Sequence, residues 1–185
     1  MKKVLLFAML AVFAACNSNQ PAATAETTKP AADSTVVAEI KSPYPVSYSS
    51  RFAMDDPKNA ETLLSIWKDW DNGDLIAGKD KFADSVTLSM ADGSTMHGAR
   101  DSILAEMQKF RSTFAKVVSE VNAITALKST DKNENWALIW GKETETDKKG
   151  KEVSFYLQET WRFNKEGKAN LVYQFKATPP PPPKK

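Results

Sequence analysis

Among 185 residues there is one cysteine and one histidine, and 25 Lys and Arg are nearly matched by 23 Asp and Glu. A single Cys excludes a disulfide framework, and one Cys with one His is too few for a zinc cluster. A Cys–His dyad would require Cys16 to reach His97. The charge balance gives no electrostatic argument for nucleic acid. Losing Lys2 and Lys3 with a leader would make it complete, at 23 against 23. Long apolar runs are also missing: Val4 to Ala15 (VLLFAMLAVFAA) is about 12 residues, short of the ~20 that span a bilayer. Nothing in the sequence calls for a cofactor or a metal. At 42% hydrophobic and 26% charged, the chain reads as one ordinary soluble domain with spare ends.

What is present begins with a basic start, Met1-Lys2-Lys3, followed by the apolar run and Cys16, the layout of a secretory signal. Phe13-Ala14-Ala15-Cys16 resembles the bacterial lipobox, in which small residues precede a Cys that is lipidated on its thiol and becomes the mature N-terminus. That resemblance implies a leader over 1–15 and a cell-envelope protein anchored to a bacterial membrane through Cys16, facing the periplasm. A thioether would also remove the liability of a lone thiol in an oxidising compartment. Residues 16–50 are rich in Ala, Thr, Ser and Pro with no sustained period, so they read as a tether that buries too little to offset chain entropy. Residues 179–185, a proline run ending in two lysines, read as a short polyproline II tail.

About 128 residues, 51–178, are left for one domain, enough to bury around two thirds of the unfolded surface. Asp55-Asp56-Pro57 is a helix start, and Leu63, Ile66, Trp67 and Trp70 form one apolar stripe that stops at Asn72-Gly73. Asp74 is placed to cap a short second helix through about Phe82, interrupted by Gly78. A strand over 85–90 and a returning edge over 94–97 flank the turn Ala91-Asp92-Gly93. Gly98 opens a third helix with Ile103, Met107, Phe110 and Phe114 on one face. From Ala115 the period becomes 2, with Val117, Val121, Ala123 and Leu127 on one face, and strands follow at about 135–146, 152–163 and 168–176. Helices grouped before a meander predict an α+β domain, an antiparallel sheet with three N-terminal helices on one face.

Two turns set the expected register. Asn164-Lys165-Glu166-Gly167-Lys168 and Asp147-Lys148-Lys149-Gly150-Lys151 each place Gly at the left-handed position of a three-residue hairpin loop. They pair Phe163 with Ala169, Glu159 with Tyr173, Leu157 with Phe175 and Ile139 with Glu159. The odd-numbered residues then share the helix-covered face: Val153, Phe155, Leu157, Trp161, Phe163, Leu171, Tyr173 and Phe175. Trp136, Leu138, Trp140 and Tyr156 fall on the other face, which is apolar enough to need a cover. A homodimer through Trp136, Trp140 and Tyr156 is the simplest one.

The order of elements resembles the SnoaL-like branch of the nuclear-transport-factor-2-like superfamily from about Asn59 to Ala177. The resemblance rests on Asp71-Asn72-Gly73-Asp74, Phe82-Ala83-Asp84-Ser85-Val86, His97-Gly98, Gln158-Glu159-Thr160-Trp161-Arg162-Phe163 and Lys165-Glu166-Gly167-Lys168. It implies a curved sheet wrapped into a cone around three helices, a pocket at the open end, and frequent dimerisation through the outer sheet face. This chain departs from the family in having Ala169 where an aromatic is usual, and Tyr173 and Phe175 where His is frequent.

Glu159, a carboxylate flanked by Leu157 and Trp161 and expected opposite Tyr173, is the sharpest candidate for chemistry. A carboxylate base with a nearby phenol is the pairing used for proton abstraction beside a carbonyl, as in ketosteroid isomerase, which has this general fold. The same carboxylate could instead anchor a ligand, or accept a hydrogen bond from Tyr173 or a Trp indole. Trp67, Trp70, His97 and Phe175 complete the candidate ligand-binding set, although Trp at helical spacing is more often core and His97 beside Gly98 more often packs a rim. Three functions stay open. One is binding of a small apolar ligand or partner protein, a second is an isomerase, cyclase or dehydratase using Glu159 and Tyr173, and a third is a scaffold whose cone is filled by its own side chains. Whether Trp67, Trp70 and Phe175 fill the space discriminates among them.

Overall fold

The structure, a computed structural model, describes residues 40–178. The leader 1–15, Cys16, most of the tether and the tail 179–185 lie outside the described residues. The elements run β1 (Phe52–Met54), α1 (Lys58–Asn72), β2 (Phe82–Ser89), β3 (Thr95–Ala99), α2 (Arg100–Arg111), β4 (Phe114–Ser129), β5 (Glu134–Asp147), β6 (Glu152–Phe163) and β7 (Ala169–Ala177). The fold is α+β, with one seven-stranded sheet in the order β1-β4-β5-β6-β7-β2-β3.

Helix α1 starts where the Asp56 carboxylate accepts the Lys58 N–H at 3.0 Å. Its stripe is core, since Leu63, Ile66 and Trp67 are buried. Gly73, at φ 75°, closes it with its N–H on the Trp70 carbonyl, and the Asp74 N–H returns to the Asp69 carbonyl at 3.0 Å. Arg111 at the end of α2 is buried and donates to the carbonyls of Trp70 and Asp71 at 2.6 and 2.8 Å. A cation is thereby set at the negative end of α1. Gln108 braces the same junction, donating to the Gly73 carbonyl and accepting the Leu75 N–H, both at 2.8 Å.

Three expectations are corrected. Among the described residues there are two α-helices rather than three, because the segment from Asp74 forms only turns and a 3-10 turn at Lys79–Lys81. Its bonds are those of successive tight turns, with the Ala77 N–H on the Asp74 side chain, the Lys79 N–H on the Ile76 carbonyl and the Lys81 N–H on the Gly78 carbonyl. A side chain at Gly78 would also strike the Asp69 carboxylate, which is bonded to Lys81. The sheet is mixed rather than antiparallel, since β2 adds parallel to β7 with Leu88 beside Val172. In that position β2 turns Phe82, Val86 and Leu88 into the core. Finally, the face assigned on β4 breaks at a bulge between Val121 and Ala123. Val117 stays buried, whereas Val121 is exposed and Ala126 takes the inner side in place of Ala123 and Leu127.

The β5–β6 register is as expected, with Ile139 opposite Glu159 and Gly141 opposite Leu157. Both hairpin glycines have positive φ, and Asn164 and Asp147 each donate their N–H to the Lys four residues on. The β6–β7 register is not as expected. Phe163 does pair with Ala169, but a bulge follows, so Arg162 meets Leu171, Thr160 meets Tyr173 and Glu159 meets Gln174. The extra residue, Asn170, is held on the outer side, where its side-chain oxygen accepts from Arg162 at 3.1 Å. Beyond it the even-numbered residues point inward. Val172 is buried, while Tyr173 and Phe175 are 41% and 57% exposed.

Tyr48 and Ser49, from the stretch read as tether, touch the domain. The Tyr48 ring stands edge-on to Trp136 at 5.9 Å, and Ser49 donates to Asp131 at 2.5 Å.

Gly141 allows the closest approach of helix to sheet. A Cβ there would lie 2.7 Å from the Glu120 carbonyl oxygen and 2.8 Å from the Trp67 ring. Neither a strand backbone nor a locked indole can retreat from it. Gly141→Ala is expected to destabilise the domain by about 2–3 kcal/mol in urea denaturation; a change within ~0.5 kcal/mol would mean that the contact is looser than described.

Candidate functional site

Between the two helices and the inner face of β5, β6 and β7 lies an open cavity of about 460 Å³. Its walls are largely apolar: Trp70 and Leu75 from the α1 end, Leu88 and Met90 from β2, Met107 and Phe110 from α2, Phe155, Leu157 and Trp161 from β6. Its polar groups are few: Glu143 and Glu145 on β5, Glu159 on β6, Gln174 and Lys176 on β7, with Glu106, Asp92 and Ser94 on the helix and loop side. A mostly apolar concavity with a few convergent polar groups is the usual form of a small-molecule site.

Glu159 is buried at the inner end, 5% exposed. One of its oxygens accepts from the indole N–H groups of Trp67 at 2.7 Å and Trp161 at 2.9 Å. The other accepts from the Gln174 side-chain amide at 2.8 Å. Replacing it with an apolar residue would strand two buried indole donors, each costing about 1–3 kcal/mol, and free the partly exposed Gln174 amide. The structure therefore brings together Glu159, Trp67 and Trp70 of the sequence-derived set and separates the others. Tyr173 is not opposite Glu159, because the Asn170 bulge turns it to the outer face and puts Gln174 in its place. Phe175 is turned outward by the same slip and lies in a groove with Trp140 and Tyr156. His97 is exposed on β3, its Nδ1 2.8 Å from the Thr87 hydroxyl, and does not line the cavity.

The residues missed in the sequence are Glu143, Glu145, Gln174 and Lys176. Both glutamates share the odd-numbered face with Ile139 and Gly141, so the register already placed them inward; the polar run Lys142–Asp147 disguised them as a solvated strand end. Glu143 is only 5% exposed and accepts the Trp70 indole N–H at 2.9 Å. Burial, reinforced by the negative charges of Glu145 and Glu159 and by a hydrogen bond to Glu145, pushes its carboxyl up to about 8. Glu145 is also raised, chiefly by burial, against the opposing pull of Lys176, the hydrogen bond with Glu143, and Arg111. Both carboxyls are thus held above their ordinary range, Glu143 the further, with a hydrogen bond between them. Among the described residues no group of three or more His, Cys, Asp or Glu side chains is arranged to hold a metal ion.

No family model matches the sequence, and no curated protein matches it. Solved structures do. The epoxide hydrolase/cyclase-like enzyme SalBIII, described as acting in pyran ring formation in the polyether salinomycin, superposes with a TM-score of 0.56 at 17% identity, over 66% of this chain and 93% of that one. AusH from Aspergillus nidulans gives a TM-score of 0.54 at 13% identity, over 67% and 86%. An NTF2-like protein of unknown function from Burkholderia pseudomallei gives 0.51 at 17% identity, over 66% and 91%. The domain has the nuclear-transport-factor-2-like fold, and at these identities the likeness speaks for fold alone.

The sign of the Glu143 effect on stability follows from proton counting. Between its ordinary value of 4.5 and about 8, the folded domain keeps a proton that the unfolded chain has released, so stability falls as pH rises through that window. Urea denaturation of Glu143→Gln, which cannot ionise, should show on the order of 1–2 kcal/mol less loss between pH 5 and pH 8 than the native chain. Parallel pH profiles would remove Glu143 as their source.

Proposed function

We propose that the domain binds a small, largely apolar molecule in the cavity between α1, α2 and the inner sheet face. The observation that carries this reading is the open space itself. Trp67 is drawn off to Glu159 and Gly141, Trp70 lies along the wall on Glu143 and Phe110, and Phe175 is outside, so these side chains leave about 460 Å³ unfilled. A cone packed shut by its own aromatics has no support in this arrangement. An isomerase-type reaction with Glu159 as base and Tyr173 as donor is not favoured either. The oxygens of Glu159 already accept three hydrogen bonds, and the phenol stands on the opposite side of the sheet. SalBIII is named an enzyme, but its likeness at 17% identity transfers no chemistry to this chain.

Residues 16–185 carrying Cys16→Ser, which lack both the apolar leader and the lipid, can be titrated with the neutral apolar dye N-phenyl-1-naphthylamine. Saturable fluorescence enhancement is expected, and Met107→Trp, which fills the cavity from α2, should weaken it at least fivefold. No saturable binding, or binding indifferent to the filled cavity, would sink the reading.

We further infer that the protein is held at a bacterial envelope membrane by lipid at Cys16 and pairs through its outer sheet face. The anchor is supported by the leader and lipobox-like residues, and the pairing by the apolar stripe of Trp140, Tyr156 and Phe175. Trp136, assigned to that surface from the sequence, is instead buried under Tyr48 and Arg162. Cell fractionation should find the native chain with membranes, whereas residues 16–185 carrying Cys16→Ser and expressed without the leader should be soluble, and sedimentation velocity at micromolar concentration should show that soluble form as a dimer. A soluble native chain removes the anchor, and a monomer removes the pairing.

A further inference from the structure

Carboxylates outnumber cations at the polar end of the cavity, where Glu143, Glu145, Glu159 and Glu106 meet only Lys176 and the charge of Arg111. Each element packed there commits its own groups elsewhere. From α1, Trp70 gives its one N–H to Glu143. From α2, the Arg111 guanidinium is tied to the carbonyls of Trp70, Asp71 and Phe114, and Glu106 adds another carboxylate. On β4, Ser119, the register partner of Glu143, bonds its hydroxyl to Asp71. On β6, Glu159 is held by its three donors, one of which is the Gln174 amide of β7. Glu143 and Glu145, two residues apart on the inner face of β5, are left side by side with one indole N–H between them.

A second observation points the same way. The chain places one alkylammonium of its own at this spot: Lys176, on β7, lies with Nζ 3.2 Å from the centroid of Phe155, a cavity wall, and its charge acts on Glu145. An ammonium over an aromatic face is a mode by which proteins recognise organic cations. Lys176 is an exposed residue near the end of β7, free to swing into solvent. No metal-ion geometry competes for the place among the described residues.

We propose that the ligand is an organic ammonium whose apolar body lies in the cavity against Trp70, Phe110 and Trp161 and whose cationic head lies between Glu143 and Glu145, displacing Lys176. This narrows the ligand of the cavity reading above and rests on it. Binding sets a fixed positive charge against the two carboxyls, so it relieves the like-charge crowding that helps to raise Glu143. A carboxylate head would add a further negative charge to the same group and is selected against.

Three probes with one alkyl chain separate the possibilities: octylammonium, octanol and octanoate, titrated calorimetrically at pH 8 into residues 16–185 carrying Cys16→Ser. Octylammonium is expected to bind about tenfold or more tightly than octanol, with octanoate weakest. In Glu145→Gln, whose half-exposed position keeps the fold, the preference for ammonium over octanol should fall below about threefold, and Glu143→Gln should do the same. Because Glu143 holds its proton up to about 8, the native preference should rise about threefold to tenfold from pH 6 to pH 8.5 while octylammonium stays charged. If octanol binds as well as octylammonium, or the preference is independent of both glutamates, the ammonium proposal is overturned and the cavity reading stands. If none of the three binds, both fail together.

Discussion

A carboxylate buried in an apolar core has to find hydrogen-bond donors, and Glu159 finds them on three separate elements. Trp67 reaches it from α1, Trp161 from its own strand and Gln174 from β7. Losing those bonds would leave an uncompensated buried charge on one side and stranded donors on the other, each costing several kcal/mol in a fold whose net stability is only about 5–15 kcal/mol. The carboxylate thereby sets the distance of the first helix from the sheet, the rotamer of two tryptophans and the register of the last strand. Gly141 makes the arrangement sterically possible, since nothing larger leaves room for the Trp67 ring against the β5 backbone.

Because Trp67 is pulled inward to this carboxylate, it does not project into the space toward the rim, and Trp70 one turn later lies on Glu143. The cavity exists as a consequence of where those two indoles are held. The second acidic group is held differently. Glu143 has one indole N–H and another glutamate for company, and responds by retaining a proton to about 8. Burial and the neighbouring carboxylates raise it, and the single Trp70 N–H opposes them.

Much of the fold was legible in the sequence because its signals are local. The α1 stripe, Gly73, the two Gly-bearing hairpins and the long strands follow from period, caps and turn chemistry, and the β5–β6 register followed from its turn. The candidate site was less legible. One residue, Asn170, bulges out of β7, and every side chain beyond it changes faces. The pattern pointed the wrong way, for Leu171, Tyr173 and Phe175 look more like an inner face than Val172, Gln174 and Lys176 do. Glu143 and Glu145 could have been found by extending the parity of Ile139 and Gly141 through a run of polar residues.

The sequence by itself determined a near-neutral composition, the α+β class, the two α-helices, the long strands that follow them and a glutamate on the inner face of β6, because those depend on composition and on neighbours a few residues apart. Tertiary structure decided the parallel docking of β2 on β7, the slip at Asn170, the exile of Tyr173, Phe175 and His97 from the cavity, and the pairing of Glu143 with Glu145. Each of these is a contact between residues far apart in the chain, settled by which strand edge was free and which buried polar group still lacked a partner. Local pattern carries no record of either.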